Sequence, residues 1–546
     1  MLPLNPALLD CPGSPLDYPV ELEACLNSHG LYHPRQFVLR LSPEVHRKIG
    51  VLPKGITKDG VDFEGLQAHS TYLHETIHWW QHIGSTIGLI LSLSYPVQAH
   101  VNYPDLRDFL ARVGPKKSIL RWIETTQLPE SDANLRLANA IVNTHFDIEF
   151  FRIRVSDPNL ARQVAHHPIF RSLGHAYSIA YTTIVRTLQI TCGLEFESFF
   201  PNPVEWAQEF RALEVHPGSD YDPEGAVRVP PIGARDIFEG QARFAQLQYL
   251  HLATGRKLEW EDAKTSGMLA TKYRVAIEFF IRTANIDWPA SIGDPVVGLF
   301  LLICDLALNP DAGFPSRLNF DRLLESVDPG HRFLALSIAI RNHPELAAAV
   351  REHSREEYAH LSEVLSKSLG TASPLAVVET VSEWEAKSDR LKALIAEYRT
   401  FAFGPENQAV RLLFAHFLSF CRDKLDRPEF FCWPGAWLVG EERVSPDIGA
   451  VFERQAAPFI DKEDDDGIFP REMPDRDDQT VHATFTAFYG MNVIYDMTRQ
   501  WVAMRGEFDY NYRWLSTTLT ASELRKWVAD QFETVYGAHP DLFQIL

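Results

Sequence analysis

The sequence predicts a mainly α-helical protein with a small β element. Most segments after residue 60 carry apolar residues three or four positions apart, which is the period of an amphipathic helix. Residues 36–42 are a short, mostly apolar run and form the clearest strand segment of the N-terminal half. A hydrophobic content of 45% with 12% aromatic residues is typical of a packed globular protein, so wholesale disorder is excluded.

Length and charge limit the organisation and the partners of the chain. At 546 residues it exceeds one average domain, and two or three domains are expected. The formal net charge of −20 argues against nucleic-acid binding, because phosphate backbones demand basic surface and no long Lys/Arg run appears. The most apolar windows, 83–93 and 296–308, are too short to span a bilayer. We therefore expect neither nucleic acid nor membrane as a partner.

The cysteines and the N-terminus indicate the compartment. The six cysteines are scattered, and no C-x-x-C pair suggests a zinc knuckle or a redox motif. Free thiols in a reducing compartment are the simplest interpretation. No basic segment followed by an apolar run opens the chain, so no signal peptide is expected. The sequence thus predicts a soluble, cytoplasmic protein.

Helical segments dominate the first 310 residues. Proline, glycine and N-cap residues mark their ends. The expected helices cover residues 68–93, 104–113, 116–126, 131–154, 172–190, 234–250, 272–284 and 296–308. The fourth of them carries His145 and Glu149 one turn apart, a pair that is either structural or part of a site.

The second half of the chain is predicted to be a helical array. Residues 309–315 are the best candidate for a domain boundary, since they combine Asn, Gly and two prolines. Residues 311–546 then form a helical C-terminal region. Within it, residues 461–478 are acidic and are predicted to be a solvated surface loop, because a calcium-loop register would place Lys462 and Met473 at ligand positions.

The segment His74-Glu75-Thr-Ile-His78 carries chemistry in its spacing. On a helix with 3.6 residues per turn, His74 and His78 lie one turn apart on the same face, so both imidazoles can reach one metal ion. Two neutral imidazoles suit zinc, which needs a third protein ligand and leaves a position for water. Glu75 lies beside them and can accept a proton from that water. His82, a further turn along, is expected in a supporting or structural position.

A second candidate for the site is Glu239, in the helix expected at residues 234–250. It lies in the middle of an otherwise apolar helical face and is followed by Gly240, a poor helix former. Small residues permit close approach to the H-E-x-x-H helix, so we expect Glu239 to be the third ligand. The alternative is an ion pair with Arg235 or Arg243, each four residues away.

These two patches, H-E-T-I-H at 74–78 with Gln81 and F-E-G-Q-A at 238–242, resemble the zincin metallopeptidases of the glutamate-ligand type, the gluzincins. The resemblance covers about 30 residues. It implies a zinc ion held by His74, His78 and Glu239, with Glu75 as the general base. It further implies a zincin-like catalytic region at residues 1–310 that hydrolyses peptide bonds in a protein or peptide substrate.

The chain departs from thermolysin-like members of that group in two respects. The interval between His78 and Glu239 is much longer, and Arg243 stands four residues after Glu239, where those members have Asp. The group that stabilises the oxyanion is open among Arg243, Tyr273, and the later His482 and Tyr489. The oligomeric state is not predicted.

Two other functions are compatible with the sequence. The H-E-x-x-H motif also contains an E-x-x-H, Glu75 to His78, and Glu357 to His360 is a second copy. Together with Glu149 and Glu239, the two copies could form a helical di-iron carboxylate site of an oxidoreductase. Alternatively, the metal is bound but idle, and the acidic helical half makes the chain a binding or regulatory protein.

Overall fold

The computed structural model describes residues 2–9, 29–50, 61–195, 199–213, 228–404, 407–439, 446–473 and 475–546. It has the predicted class, mainly α with a small β element. The helices of the first half are α1 Pro43–Gly50, α2 Phe63–Trp79, α3 Thr86–Val113, α4 Ile119–Thr125, α5 Ala133–Ser156, α6 Pro158–Val164, α7 Leu173–Cys192, α8 Ala207–Leu213, α9 Ala234–Ala253, α10 Trp260–Thr265, α11 Thr271–Ala284 and α12 Pro295–Leu308.

The second half is also helical. Its helices are α13 Leu323–Val327, α14 Pro329–Asn342, α15 Arg355–Ser368, α16 Pro374–Lys387, α17 Asp389–Thr400, α18 Gln408–Asp426, α19 Pro428–Cys432, α20 Pro434–Trp437, α21 Pro446–Gln455, α22 Asp478–Ala503 and α23 Ala521–Tyr536. No helix among the described residues is long and apolar enough to cross a membrane.

The helix predicted at residues 68–93 is two helices with a π-helical turn between them. Helix α2 ends at Trp79, residues Trp80–Gly84 form the turn, and α3 begins at Thr86. Ser85 separates them, because its backbone is extended and its hydroxyl accepts a hydrogen bond from the Gly88 amide at 3.0 Å, as an N-cap does. The apolar pattern runs through this break, so periodicity alone does not reveal it.

The β element is a four-stranded sheet in the order β1 Gly30–His33, β2 Val38–Leu41, β4 Phe459–Lys462 and β5 Asp465–Pro470. Strand β2 lies within the predicted strand segment at 36–42. It pairs antiparallel with β1, residue Gly30 opposite Leu41, and parallel with β4. Strands β3 Lys116–Lys117 and β6 Gln544–Ile545 form a separate parallel pair.

The first part of the acidic segment 461–478, residues 461–470, belongs to a hairpin and is not the solvated loop that its composition predicts, whereas the described residues between 471 and 477 lie outside helices and strands and are exposed or half-buried. Strands β4 and β5 form the hairpin. Asp461 is 3% exposed, and its carboxylate accepts hydrogen bonds from the Leu41 amide at 3.0 Å and interacts with His46 Nε2 at 2.6 Å. Arg40 donates to the backbone carbonyl of Asp466 at 2.6 Å, and its guanidinium forms an ion pair with the Asp466 carboxylate at 3.5 Å. Burial of these carboxylates is possible because each has a specific partner in the N-terminal strands and helix.

The two regions predicted on either side of residue 310 share one hydrophobic core. Buried residues from Leu8 to Phe543 form a single cluster. At the end of α2, Trp79 Nε1 donates to His416 Nε2 at 3.0 Å and Trp80 Nε1 donates to the Gln455 carbonyl at 2.9 Å. The H-E-x-x-H helix is thus anchored on helices α18 and α21 from the second half of the chain.

Candidate metal centre

Helices α2 and α9 pack together and carry the four residues singled out in the sequence. Helix α9 begins at Ala234, the predicted residue. Gln246 on α9 donates to Ser70 Oγ at 3.1 Å and to Thr71 Oγ1 at 3.3 Å on α2, which fixes the two helices relative to each other. The contact lies one turn before His74, so it positions the start of the site.

His74, His78 and Glu239 come together as predicted. The Nε2 atoms of the two imidazoles are 3.1 Å apart, and one ligand atom from each of the three residues lies within 4.8 Å of the others. Ligand atoms on tetrahedral zinc are about 3.3 Å apart, since zinc–nitrogen bonds are about 2.0–2.1 Å long. The histidine pair matches this value, and an oxygen of Glu239 lies within 4.8 Å of a ligand atom of each histidine.

Glu239 lies at the edge of the site. Its side chain is 20% exposed, so it is half-buried where the sequence suggested full burial. Its Oε2 atom is buried and forms no hydrogen bond to a described residue, while Lys272 Nζ lies 3.6 Å away. The ion pair expected as the alternative, with Arg235 or Arg243, is thus replaced by one with Lys272. Because the ion pair between Lys272 and Glu239 is partly exposed to solvent, it contributes little free energy, and the Glu239 carboxylate remains able to bind a cation.

Gly240 permits close packing against α11 and α12 and not, as predicted, against the H-E-x-x-H helix. A Cβ atom at this position would lie 3.1 Å from Ala276 Cβ and 3.2 Å from the Phe300 ring. The small residue therefore allows α9 to approach α11 and α12 and does not face α2. Glu239, the residue before Gly240, lines the cavity next to the site.

Glu75 is buried between α2 and the sheet. It is 2% exposed, and a Cβ atom on Gly30 would lie 2.7 Å from Glu75 Oε1. Only glycine at the start of β1 leaves room for this carboxylate. Strand β1 pairs with β2 alone among the described strands, so the edge of the sheet passes beside Glu75.

Burial keeps His74 in the form that binds metals. It lowers the pKa of His74 well below its ordinary value, and the positive charges of Arg243 and Lys272 lower it further. A neutral imidazole offers a lone pair, so protons do not compete for His74 near neutral pH.

Gln81 orients His78 and links the two helices. Its Oε1 accepts a hydrogen bond from His78 Nδ1 at 2.7 Å, and Nε2 of that ring faces His74. The Gln81 amide donates to the Phe238 carbonyl at 3.0 Å and to Gln241 Oε1 at 2.8 Å, on either side of Glu239. One side chain thus fixes a histidine tautomer and the position of α9. The π-helical turn begins one residue before Gln81.

Replacing Gln81 with Leu is expected to weaken zinc binding by about 10- to 100-fold, because His78 loses the acceptor that holds its tautomer. Competition with a chelating dye measures the affinity. Gln500→Leu is the matched control, since Gln500 is equally buried but bonds to Asp496 and the Asp509 carbonyl, away from the site. Equal zinc affinity of Gln81→Leu and the wild type contradicts the positioning role.

Of the four candidates for oxyanion stabilisation, two lie at the site. Arg243 is fully buried, with its Cζ 3.8 Å from the ring centre of Tyr273, and the Tyr273 ring lies 5.9 Å from that of His74. The other two, His482 and Tyr489, line a different cavity, and the Tyr489 hydroxyl donates to the Gln36 carbonyl.

A cavity of about 360 Å³ opens beside the candidate metal ligands. His78, Glu239 and His82 line it, and so do three arginines: Arg35, Arg152 and Arg235. Sequence reasoning missed the arginines, because they come from the β1–β2 turn, α5 and the start of α9, and no local pattern relates them. His82, expected in a supporting position, packs against Phe238 with ring centres 4.8 Å apart and the ring planes tilted by 59°.

Glu149 lies between two of these arginines. Its carboxylate accepts hydrogen bonds from Arg35 at 2.9 Å, Arg152 at 2.7 Å and Gln98 at 3.3 Å. Burial raises the pKa of Glu149, but Arg152, Arg35 and His145 outweigh it and lower the pKa to about 2. The pair His145 and Glu149 thus supports the wall of the cavity rather than the metal site.

The depressed pKa of Glu149 predicts a pH-dependent contribution to stability. A carboxyl group whose pKa is about 2 when folded and has its ordinary value of 4.5 when unfolded stabilises the fold above pH 4.5 and loses this effect as the pH falls towards 2. Glu149→Gln should lower the free energy of unfolding by about 2 kcal/mol at neutral pH. Urea unfolding of the metal-free proteins from pH 7 to pH 2 should show this difference shrinking below pH 4.5. A difference that is constant with pH contradicts the prediction.

The second E-x-x-H is engaged elsewhere. The Glu357 carboxylate caps the start of α15, accepting hydrogen bonds from the amides of Ser354, Arg351 and Glu352, and His360 is exposed. Among the described residues, the group able to hold a metal consists of His74, His78 and Glu239. This geometry disfavours the di-iron alternative.

Comparison with protein-family models, with curated proteins and with solved structures finds no match. The functional interpretation therefore depends on the site residues and their surroundings.

Proposed function

We propose that this protein is a zinc-dependent peptidase that hydrolyses a protein or peptide substrate. The observation that carries the proposal is the convergence of His74, His78 and Glu239, with the buried Glu75 following His74 on the same helix. Three ligands with an adjacent carboxylate at a cavity are the donor set of a hydrolytic zinc site, whereas structural zinc sites have four protein ligands.

Each residue of the chain has a definite task in this proposal. His74, His78 and Glu239 hold the metal, and Gln81 orients His78. Zinc supplies Lewis acidity towards a water molecule and a carbonyl group. Glu75 accepts the proton of the attacking water and delivers it to the departing amine. Arg243 and Tyr273, which stack on each other, are the nearest candidates for stabilising negative charge on the carbonyl oxygen.

The surroundings favour a peptide as substrate. Strand β1 is at the end of the sheet among the described strands, its Gly30 lies against Glu75, and an extended chain can add to such an edge strand through backbone hydrogen bonds. We place the protein in a reducing compartment, the cytoplasm. The four described cysteines, Cys192, Cys304, Cys421 and Cys432, support this placement because all are buried and free, while Cys11 and Cys25 lie outside the described residues.

Elemental analysis combined with a peptide-library assay tests the proposal. Protein purified without added metal should contain about one zinc per chain. It should cleave library peptides, lose this activity on dialysis against a chelator and regain it with added zinc. Two irons per chain, or one zinc without cleavage of any peptide or unfolded protein, contradicts the proposed function.

A further inference from the structure

The cavity beside the metal-binding residues is positively charged in a strongly acidic protein. The whole chain carries a formal net charge of −20, yet Arg35, Arg152 and Arg235 line this one cavity. The single carboxylate that lines it is Glu239, which belongs to the metal-binding set. A concave surface with one sign of charge attracts and retains the opposite charge.

The positive charge is only partly neutralised by the protein. Glu149 is one carboxylate between Arg35 and Arg152, so this group retains one positive charge. The nearby Arg499 is paired with Asp496 at 2.9 Å and does not change the balance. Arg235, at the start of α9, approaches Asp157 only to 4.0 Å and is 72% exposed. Each guanidinium has five N–H donors, and the contacts with Glu149 leave most of those on Arg35 and Arg152 available to a ligand.

These arginines are held in place. Arg152 is 17% exposed and fixed by Glu149, which also receives a hydrogen bond from Gln98. The backbone carbonyl of Arg35 accepts a hydrogen bond from Asn492 Nδ2 at 2.9 Å. Guanidinium groups that are oriented before binding lose little entropy when they bind a planar anion through two parallel hydrogen bonds.

Two buried polar atoms in the cavity wall also favour the binding of a polar ligand. The hydroxyl of Tyr32 and Nδ1 of His82 are buried and have no hydrogen-bond partner within the described part of the chain. Both side chains line the cavity, with their ring centres 5.1 Å apart. A buried hydroxyl without a partner costs free energy, and a polar ligand in the cavity removes that cost.

We propose that this cavity binds a carboxylate of the substrate through Arg35 and Arg152, so that the protein prefers peptides with a negative charge close to the scissile bond. The inference rests on the proposed peptidase function, which makes the anion part of a peptide. A volume of about 360 Å³ is at the lower end of small-ligand pockets, so it accommodates the end of a peptide or one side chain, not a folded chain. The carboxylate is either the C-terminus of the peptide or the side chain of Asp or Glu.

Equilibrium binding to the full-length, metal-free protein tests the proposal without any catalytic step. The probes are N-acetylated tripeptides in four forms, with a free C-terminal acid or an amide, and with Glu or Gln next to the terminus. Isothermal titration calorimetry should show about 10- to 100-fold tighter binding of one charged form than of its uncharged counterpart. A preference for the free acid identifies the C-terminus as the source of the carboxylate, and a preference for Glu identifies the side chain.

Variants of the cavity arginines test whether the preference for the charged peptide arises in the cavity. Arg152→Gln and Arg35→Gln should remove most of the preference for the charged form, and Arg235→Gln, at an exposed position that cannot unfold the protein, should reduce it by about threefold. Arg136→Gln is the matched control, because Arg136 is exposed on the same helix as Arg152. Thermal melts show whether each variant is folded.

The outcomes separate the two proposals. Equal binding of charged and uncharged forms by the wild type, binding of inorganic phosphate alone, or an equal effect of Arg136→Gln overturns the carboxylate site. A clear preference for the charged form in a protein that hydrolyses no peptide supports the carboxylate site and refutes the peptidase function. Hydrolysis of charged and uncharged peptides at equal rates supports the peptidase function and refutes the carboxylate site.

Discussion

Glu75→Gln is expected to reduce peptide hydrolysis by about 10³- to 10⁴-fold while zinc stays bound. Glutamine has the same shape as glutamate, so it fits the space between α2 and Gly30, where a Cβ atom on the glycine would approach the carboxylate within 2.7 Å. It cannot accept a proton from water at neutral pH. The loss should therefore be in kcat, with little change in KM, because Glu75 acts on the reacting water and does not bind the peptide.

Glu64→Gln on the same helix is the control for this variant. Glu64 lies in the first turn of α2, is 45% exposed and pairs with Lys48 and Asn5. Its replacement should change kcat by less than about twofold. If Glu75→Gln retains the wild-type rate with one zinc bound, Glu75 is not the base, and the proposed role of the H-E-x-x-H motif is wrong.

The second large effect concerns the metal-binding residues. His78→Ala and Glu239→Gln should each lower the zinc content from about one per chain to roughly a tenth, because two remaining ligands hold zinc poorly. The wild type should gain about 4 kcal/mol of stability at a zinc concentration 1,000 times the dissociation constant, and the variants should gain little. Elemental analysis and thermal melts with and without zinc measure these effects.

His82→Phe distinguishes this set of ligands from another. His82 is four residues after His78 and lines the same cavity, and phenylalanine preserves its packing on Phe238. Zinc should be retained in this variant. The residues whose candidate ligand atoms lie within 4.8 Å of one another are His74, His78 and Glu239, and His82 is not one of them. Loss of zinc in His82→Phe together with its retention in Glu239→Gln would assign the third ligand to His82.

The features of the site that depend on a single helix follow from the spacing of residues along the sequence. His74 and His78 share a face because they are four residues apart, and this holds for almost any packing of α2. Helix α9 was predicted from its first residue onward, because the turn formers before Ala234 and the apolar spacing after it are local signals. The meeting of Glu239 with the two histidines depends on tertiary packing, and the sequence predicts it only indirectly, from the apolar face around Glu239 and from the family resemblance.

The features that the sequence did not reveal depend on distant contacts. Strand β1 has four residues, too few for a reliable pattern, and becomes a strand by pairing with β2. The β4–β5 hairpin is hidden by its acidic residues, whose charges are balanced by Arg40 and His46 more than 400 residues earlier. The break at Ser85 is concealed because the apolar stripe continues across it.

The long-range anchoring of the site has a consequence for biosynthesis. Strand β2 is held by β4, the turn at Arg35 by Asn492 on α22, and the end of α2 by His416. A ribosome that has completed Glu239 must add about 250 further residues before Asn492 exists, which takes roughly ten to fifty seconds at ordinary translation rates. Throughout that interval the histidines and Glu75 are already part of the nascent chain without the elements that position them. Synthesis itself thus delays the assembly of the site, and a ribosome that stops early releases a chain in which the metal-binding residues lack their supports.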